Sequence, residues 1–282
     1  MGISDQSSLS RRINAERIVL LGWGRAILLQ LAHPLIAAGV YEHSSFRATM
    51  WATVARLYHT VHAMLALTFG SDADRERALA GIRTIHRRVH GQLTTAVGRF
   101  PAGTNYSAED PDLVLWVHAT LLESVPMAYE LLVAPLTTAE RDAYCAEAAP
   151  FAIELLARSR DVPRSWEAAR RYLDRMYASG DLAVSPQARE LARLVLSPPA
   201  AAHIVAPATW TNRIVTLGLL PASIRQQYEL PWTARHQRAF NLVIPALRVT
   251  RRVLPDALAL WPESRIAAHE SSTEHRSVIV NR

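Results

Sequence analysis

Two groups of side chains are spaced to do chemistry together: Arg56, His59 and Thr60, and Arg83, His86 and His90. Positions i, i+3 and i+4 share a helix face, as do i, i+3 and i+7, so each group projects from one side of its own helix. The two helices, within Ala52 to Gly91, fold back across the turn Phe69-Gly70-Ser71-Asp72. That arrangement predicts both faces aimed into one cavity, an imidazole approaching from each side. Such a cavity suits a planar, iron-bearing cofactor.

Other histidine chemistries fit less well. His86 and His90 have the i, i+4 spacing of a zinc helix, but Arg87-Arg88-Val89 lies between them, where a hydrolytic zinc site needs a glutamate as general base. A di-iron bundle needs Glu-x-x-His repeats with inward carboxylates, and no such pair is present. Ser-His-Asp hydrolysis lacks its Gly-x-Ser-x-Gly elbow. The single cysteine, Cys145, excludes an intramolecular disulfide framework and a cysteine zinc site, and reads as inert. Haem answers a charge question: a porphyrin brings two propionates for arginines to pair and an iron that needs one axial imidazole. Arg83 and Arg56 beside His86 and His59 are then partners of the cofactor. Spacing alone leaves this as one reading among several, because a histidine on a helix face is commonly a core or surface residue.

The elements that must carry these residues are helical. Half of the 282 residues are hydrophobic, enough for a large core, and Ala, Leu and Arg dominate while Gly is scarce. We therefore expect an all-α fold of one multi-helix domain, with residues 1–16 as an N-terminal segment, 17–263 as the domain and 264–282 as a polar tail. The run from Ala26 to Val40 is apolar on every side and reads as a central core element, kinked or restarted at Pro34. His33 within it reads as a neutral histidine bonded to a carbonyl freed by Pro34. Glu42 follows, a general base if it faces a cavity and a solvated helix-start carboxylate otherwise. Asp72 can cap the second site helix. Thr94 to Ala108 has loop chemistry, and helices are expected over 111–133, 137–157 with an interruption at Pro150, 163–178, 185–196, 203–219 broken at Pro207, and 233–253 interrupted at Pro245.

The net charge of +6 is carried mostly by arginine and spread along amphipathic helices, which reads as a solvated surface and not a nucleic-acid patch. The polar N-terminus lacks the features of a secretory signal, and no run reaches the length of a spanning helix, so a cytoplasmic protein is expected. Basic charge together with tryptophans read as exposed, such as Trp261, would permit peripheral membrane contact.

Several separated motifs then converge. Gly22-Trp23-Gly24-Arg25-Ala26 through Leu29-Gln30-Leu31-Ala32-His33-Pro34, Arg56-Leu57-Tyr58-His59-Thr60 ending in Phe69-Gly70, Arg83-Thr84-Ile85-His86, and Leu115-Trp116-Val117-His118-Ala119-Thr120 together resemble one family. It is the domain shared by the bacterial rubber oxygenases (latex clearing proteins) and the fungal MpaB-type oxygenases, formerly a domain of unknown function. The resemblance spans roughly Arg17 to Trp261 and is strongest before Thr120. It implies an all-α fold with a globin-like helical core around a buried b-type haem pocket.

By motif, the resemblance implies His86 as the proximal iron ligand, beside Arg83. Arg56, His59 and Thr60 match an Arg-x-x-Lys-Thr motif in which histidine here replaces the lysine that closes the distal side. His59 would then hydrogen-bond bound oxygen or ligate the iron itself. His90 stands where a third arginine is expected, which puts propionate pairing on that side in doubt. His118 matches a histidine of supporting role, a partner fixing the tautomer of His86, and His33 belongs to the same cofactor surroundings.

The function this implies is a haem b-dependent oxygenase that activates O₂ on an apolar substrate, an isoprenoid, lipid or secondary metabolite, with Arg56, His59, Thr60 and Glu42 as catalytic candidates and a reductant of unknown identity. Two rivals come from other classes: a haem protein that senses gas or transfers electrons without turnover, and an iron-free helical protein that binds lipid.

Overall fold

A computed structural model describes residues 8–43, 50–196 and 206–265, with side chains from 58 onward in the second stretch. Its elements are helical apart from one short hairpin, in keeping with the all-α expectation.

The chain enters through α1 (Leu9–Asn14), capped by Ser8, and a 3-10 turn η1 (Arg17–Gly22). α2 (Trp23–Leu31) and α3 (Pro34–His43) split the apolar run, and η1–α2 meets α3 at 104°. Pro34 therefore starts a new helix, the position at which its missing N–H costs nothing. Among the described residues, no single helix is long and apolar enough to cross a membrane.

The site helices are α4 (Met50–Phe69) and α5 (Asp72–His86), packed on each other across the predicted turn. Ser71, and not Asp72, caps α5: its hydroxyl accepts from the Asp74 N–H and the Asp74 carboxylate accepts from the Ser71 N–H. That reciprocal pair satisfies two donors at once, which an aspartate one residue inside the helix cannot do. Next comes the hairpin of β1 (His90–Gln92) and β2 (Asn105–Ser107), paired antiparallel with Gly91 opposite Tyr106. β2 lies in the stretch expected to be loop, but β1 takes His90, which was expected on the second site helix and does not share the α5 face with Arg83 and His86 because that helix ends at His86.

α6 (Pro111–Leu132) is the hub: η1, α2, α7 (Thr138–Glu154), α8 (Trp166–Ala178) and α12 (Ala234–Val253) all pack on it. Trp116 at its centre is fully buried and donates from Nε1 to the Leu29 carbonyl at 3.2 Å. α9 (Pro186–Leu196), α10 (Ala206–Leu219), α11 (Ala222–Gln227) and α13 (Asp256–Ala259) complete the shell. Pro150, Pro245 and Pro126 each sit inside a continuous helix, so the expected interruptions at Pro150 and Pro245 do not occur, and Pro207 lies in the first turn of α10 without breaking it. Tertiary packing of the turns before and after each proline outweighs the local cost of one lost backbone bond.

Candidate functional site

α5 carries the better-held half of the site. Leu79, Arg83 and His86 recur every three to four residues, so they share one face, and that face is turned to the protein: Leu79 is buried, while Arg83 and His86 are half-buried. Two ties hold it there. Arg83 donates from Nε and Nη2 to the Glu154 main-chain carbonyl at 2.9 and 2.7 Å, and Arg75 pairs with the Glu154 carboxylate at 2.7 Å. Both fasten α5 to the C-terminus of α7, whose last carbonyls need donors and whose dipole favours cations.

His86 makes no side-chain hydrogen bond to any described residue. Burial pushes its pKa down, with the nearby Glu109 carboxylate opposing. The imidazole is therefore neutral near pH 7, the state a metal ligand requires. His118 lies on the face of α6 that carries Val114 and Leu122. Burial alone drives its pKa down to about 4, and its Nε2 is buried with no hydrogen-bond partner among the described residues. An orphaned ring nitrogen inside a helical hub is the kind of group that a ligand or bound water completes.

α4 presents its half differently. Val61, Leu65 and Phe69 form its buried stripe against Ile13, Trp23 and Tyr129, and at 100° per residue Arg56, His59 and Thr60 fall on the opposite side. His59 and Thr60 are exposed, and the His59 ring meets Tyr58 edge-on at 5.8 Å. Arg56 is part of α4, but its side chain lies outside the described residues. His59 is exposed and His86 half-buried, and the two share no hydrogen bond or ring contact among the described residues.

The remaining candidates separate further. Glu42 is exposed in the last turn of α3, not at a helix start, and accepts a hydrogen bond from the Tyr106 hydroxyl. A carboxylate at a helix C-terminus is disfavoured by the dipole, and the phenol offsets this. Tyr106 in turn is pushed above the usual phenol range by its desolvation and by Glu42. Glu42 also lines a cavity of about 10 Å³ with Pro34, Leu93 and Ser185, room for a single water. His90 is exposed on β1, and its carbonyl lies 3.1 Å from His43 Nε2. His33 is buried against Phe100 with its Nδ1 unpartnered among the described residues, so the expected bond to a carbonyl freed by Pro34 is not made through that nitrogen. Burial holds it near pKa 4. Trp261, read as exposed, is packed: its ring lies 5.0 Å from the Arg17 guanidinium and its main-chain N–H donates to the Ala15 carbonyl, while its indole Nε1 is buried with no partner among the described residues. Cys145 is buried with its thiol pushed up to about 12 by desolvation, which makes it inert as expected.

Sequence reasoning overlooked three things. Glu154, the anchor of α5, gives no signal because its carbonyl and not its side chain does half of the work. Arg25 and Glu123, a buried ion pair at 2.5 Å, do have one: Arg25 is the lone charge of α2, and Glu123 is a carboxylate in the apolar middle of α6. A cleft of about 710 Å³ lies between the start of α6 and α8, lined by Arg160, Arg164, Arg171, Arg175, Asp112 and Tyr172, and none of the expected site residues borders it.

As a donor set, the inward face of α5 offers groups that haem needs, a half-buried imidazole for iron and an arginine with one guanidinium nitrogen uncommitted among the described residues, and α6 offers the buried, orphaned ring nitrogen of His118. The sequence profile of the family described as ER-bound oxygenase mpaB/B'/Rubber oxygenase, catalytic domain, matches residues 10–250. Two curated relatives, the uncharacterized protein Mb2261 of Mycobacterium bovis and the uncharacterized protein Rv2237 of Mycobacterium tuberculosis, are each 26% identical over 237 residues, 81% of this chain and 87% of theirs. No solved structure matches the chain.

Proposed function

The chain belongs to the MpaB/rubber oxygenase catalytic-domain family, and from that premise we propose that it is a haem b-dependent oxygenase acting on an apolar isoprenoid, lipid or secondary-metabolite substrate. The observation that carries the reading is the half-buried imidazole of His86 beside Arg83 on the inward face of α5, in a chain that matches an oxygenase family over residues 10–250. When bound, haem supplies the iron that activates O₂.

This chain's own residues then have defined tasks. His86 offers the axial nitrogen. Arg83 keeps α5 seated on α7 through Nε and Nη2 and retains Nη1 for a propionate. His118 would offer its buried ring nitrogen to a water or a ligand group in the site. Arg56, His59 and Thr60 are the polar groups of α4 assigned to the oxygen side, and Glu42 with Tyr106 is a candidate proton path at the end of α3.

The test is the absorption spectrum of the purified protein after expression with haem supplied. A Soret band is expected, and His86→Ala removes it or its axial-histidine signature. An unchanged spectrum in that variant refutes His86 as the ligand, and a colourless wild type refutes haem altogether. The second reading, a haem protein without turnover, is favoured by one observation: His59 and Thr60 stand on the exposed side of α4, away from its core face. A reduced protein that takes up carbon monoxide supports the oxygenase; a six-coordinate ferrous form that resists it supports the rival.

A further inference from the structure

We propose that α12 is a peripheral docking surface for anionic lipid membranes, a property that goes beyond the haem reading and does not depend on it. α12 is bound to the body on one side only: Phe240, Ile244 and Leu247 pack with Val215 and Leu132. The other side carries Arg235, Arg238, Leu242, Pro245, Val249 and Arg252, spaced alternately three and four residues apart, which is one continuous stripe down a helix.

The middle of that stripe is aliphatic and open to solvent. Leu242 is 74% exposed, Val249 58% and Val253 73%, and Leu258 in the adjoining α13 is 59% exposed. Gly218 against Phe240 and Val215 beside Ile244 run α10 antiparallel to α12, which brings the half-exposed Trp210 level with the Val249 turn. A tryptophan beside exposed Leu and Val is the composition that settles at the boundary between headgroups and acyl chains.

Charge decides between occupants. α12 contains five arginines and no acidic residue. Arg251 is spent on Glu16, and Arg248 on the main-chain carbonyls of Leu131 and Glu130. Arg235, Arg238 and Arg252 have no carboxylate partner among the described residues, and they stand at the two ends of the aliphatic stripe. An anionic bilayer neutralises all three while taking up the aliphatic side chains between them. A second copy docked by two-fold symmetry along the same stripe would set the Arg235 end against the Arg252 end, cation against cation.

The experiment is flotation of the full chain with vesicles of phosphatidylcholine alone and with about 30% phosphatidylglycerol, at low and high salt. Binding is expected to the anionic vesicles only and to fall as salt rises. Arg238→Gln and Arg252→Gln are each expected to lower partitioning about fivefold. Leu242→Asp with Val249→Asp is expected to abolish it without changing the thermal melt, because both side chains are exposed. No binding, equal binding to neutral vesicles, or wild-type binding by the double Asp variant overturns the proposal. So does a lipid-free dimer that this variant converts to monomer in sedimentation, which would make a second copy the occupant. Vesicle binding is read without haem, so its failure leaves the oxygenase reading intact, and a protein that takes up no haem leaves this one intact.

Discussion

His33 is 5% exposed, and its pKa falls from 6.5 to about 4 because burial penalises the charged ring; Asp181 and Asp110 oppose the shift and Arg99 adds to it. In the unfolded chain the same imidazole titrates normally. Between these two values the unfolded state binds the extra proton, so stability is full above pH 6.5 and is lost as pH falls towards 4. At pH 5 the loss is about 2 kcal/mol for this one residue. His118 adds in the same direction and over the same window. Glu140, held at about 2 by the Thr137 N–H, Arg12 and the Thr137 hydroxyl, loses its contribution only below the ordinary carboxylate range, so the two effects separate on the pH axis. We expect the melting temperature of the haem-free protein to drop between pH 7 and 5, and His33→Gln to flatten that slope; an unaltered slope would mean that His33 is charged in the fold. The position of His33 beside Pro34 was readable as a buried neutral residue from its apolar neighbours alone. Its missing partner was not, because Phe100, the ring it meets, comes from a segment far along the chain whose approach depends on the hairpin.

Helix boundaries around the site followed local chemistry wherever that chemistry was decisive. The turn at Gly70, the proline restart at 34 and the Thr137 cap with Glu140 all formed as read, since each satisfies specific backbone donors within four residues. What spacing could not give was the direction each face points. On α4 the apolar residues Val61, Leu65 and Phe69 claim the core side, and the Arg56, His59 and Thr60 face is left to the other. On α5 there is little apolar surface to decide, and the orientation is set by Arg75 and Arg83 reaching the end of α7. Helix α5 is thus held at its His86 end chiefly by a guanidinium on a carbonyl. Arg83→Ala should release that end, raising amide hydrogen exchange over residues 80–88 and costing about 1 to 2 kcal/mol locally, since each charged bond contributes about that much. Exchange confined to α4, or no change at all, would show that packing on α4 alone fixes α5. The close approach at Gly24 works in the same way from the other side of the hub: a methyl group there would collide with the Thr216 hydroxyl, so Gly24 reports packing of α2 on α10, while Gly22 lies against the Ser124 carbonyl of α6.

The molecule as a whole is held together by charges as well as by aliphatic packing, and the centre of it is Arg25. That side chain is 2% exposed and spends its guanidinium on two other elements: Nε on the Leu219 carbonyl at the end of α10 at 2.9 Å and, on α6, Nη1 on Ser124 at 2.7 Å and Nη2 on Glu123 at 2.5 Å. Glu123, 3% exposed, also accepts from Arg170 at 3.3 Å and Tyr177 at 3.4 Å on α8. One ion pair therefore joins α2, α6, α8 and α10. A buried pair gains little over a well-packed apolar one, but losing a single partner strands the other charge in the interior. Glu123→Ala should thus cost about 3 to 5 kcal/mol, and Arg25→Met a comparable amount. The double variant Arg25→Met with Glu123→Leu should recover most of that loss, because neither charge is then left alone. Denaturant melts of the four proteins decide the matter. If the double variant is as unstable as the sum of the singles, the pair acts through its hydrogen bonds to Leu219, Ser124 and α8 and not through mutual neutralisation. If either single variant melts like the wild type, water reaches the pair, and these four helices are joined by apolar contacts alone.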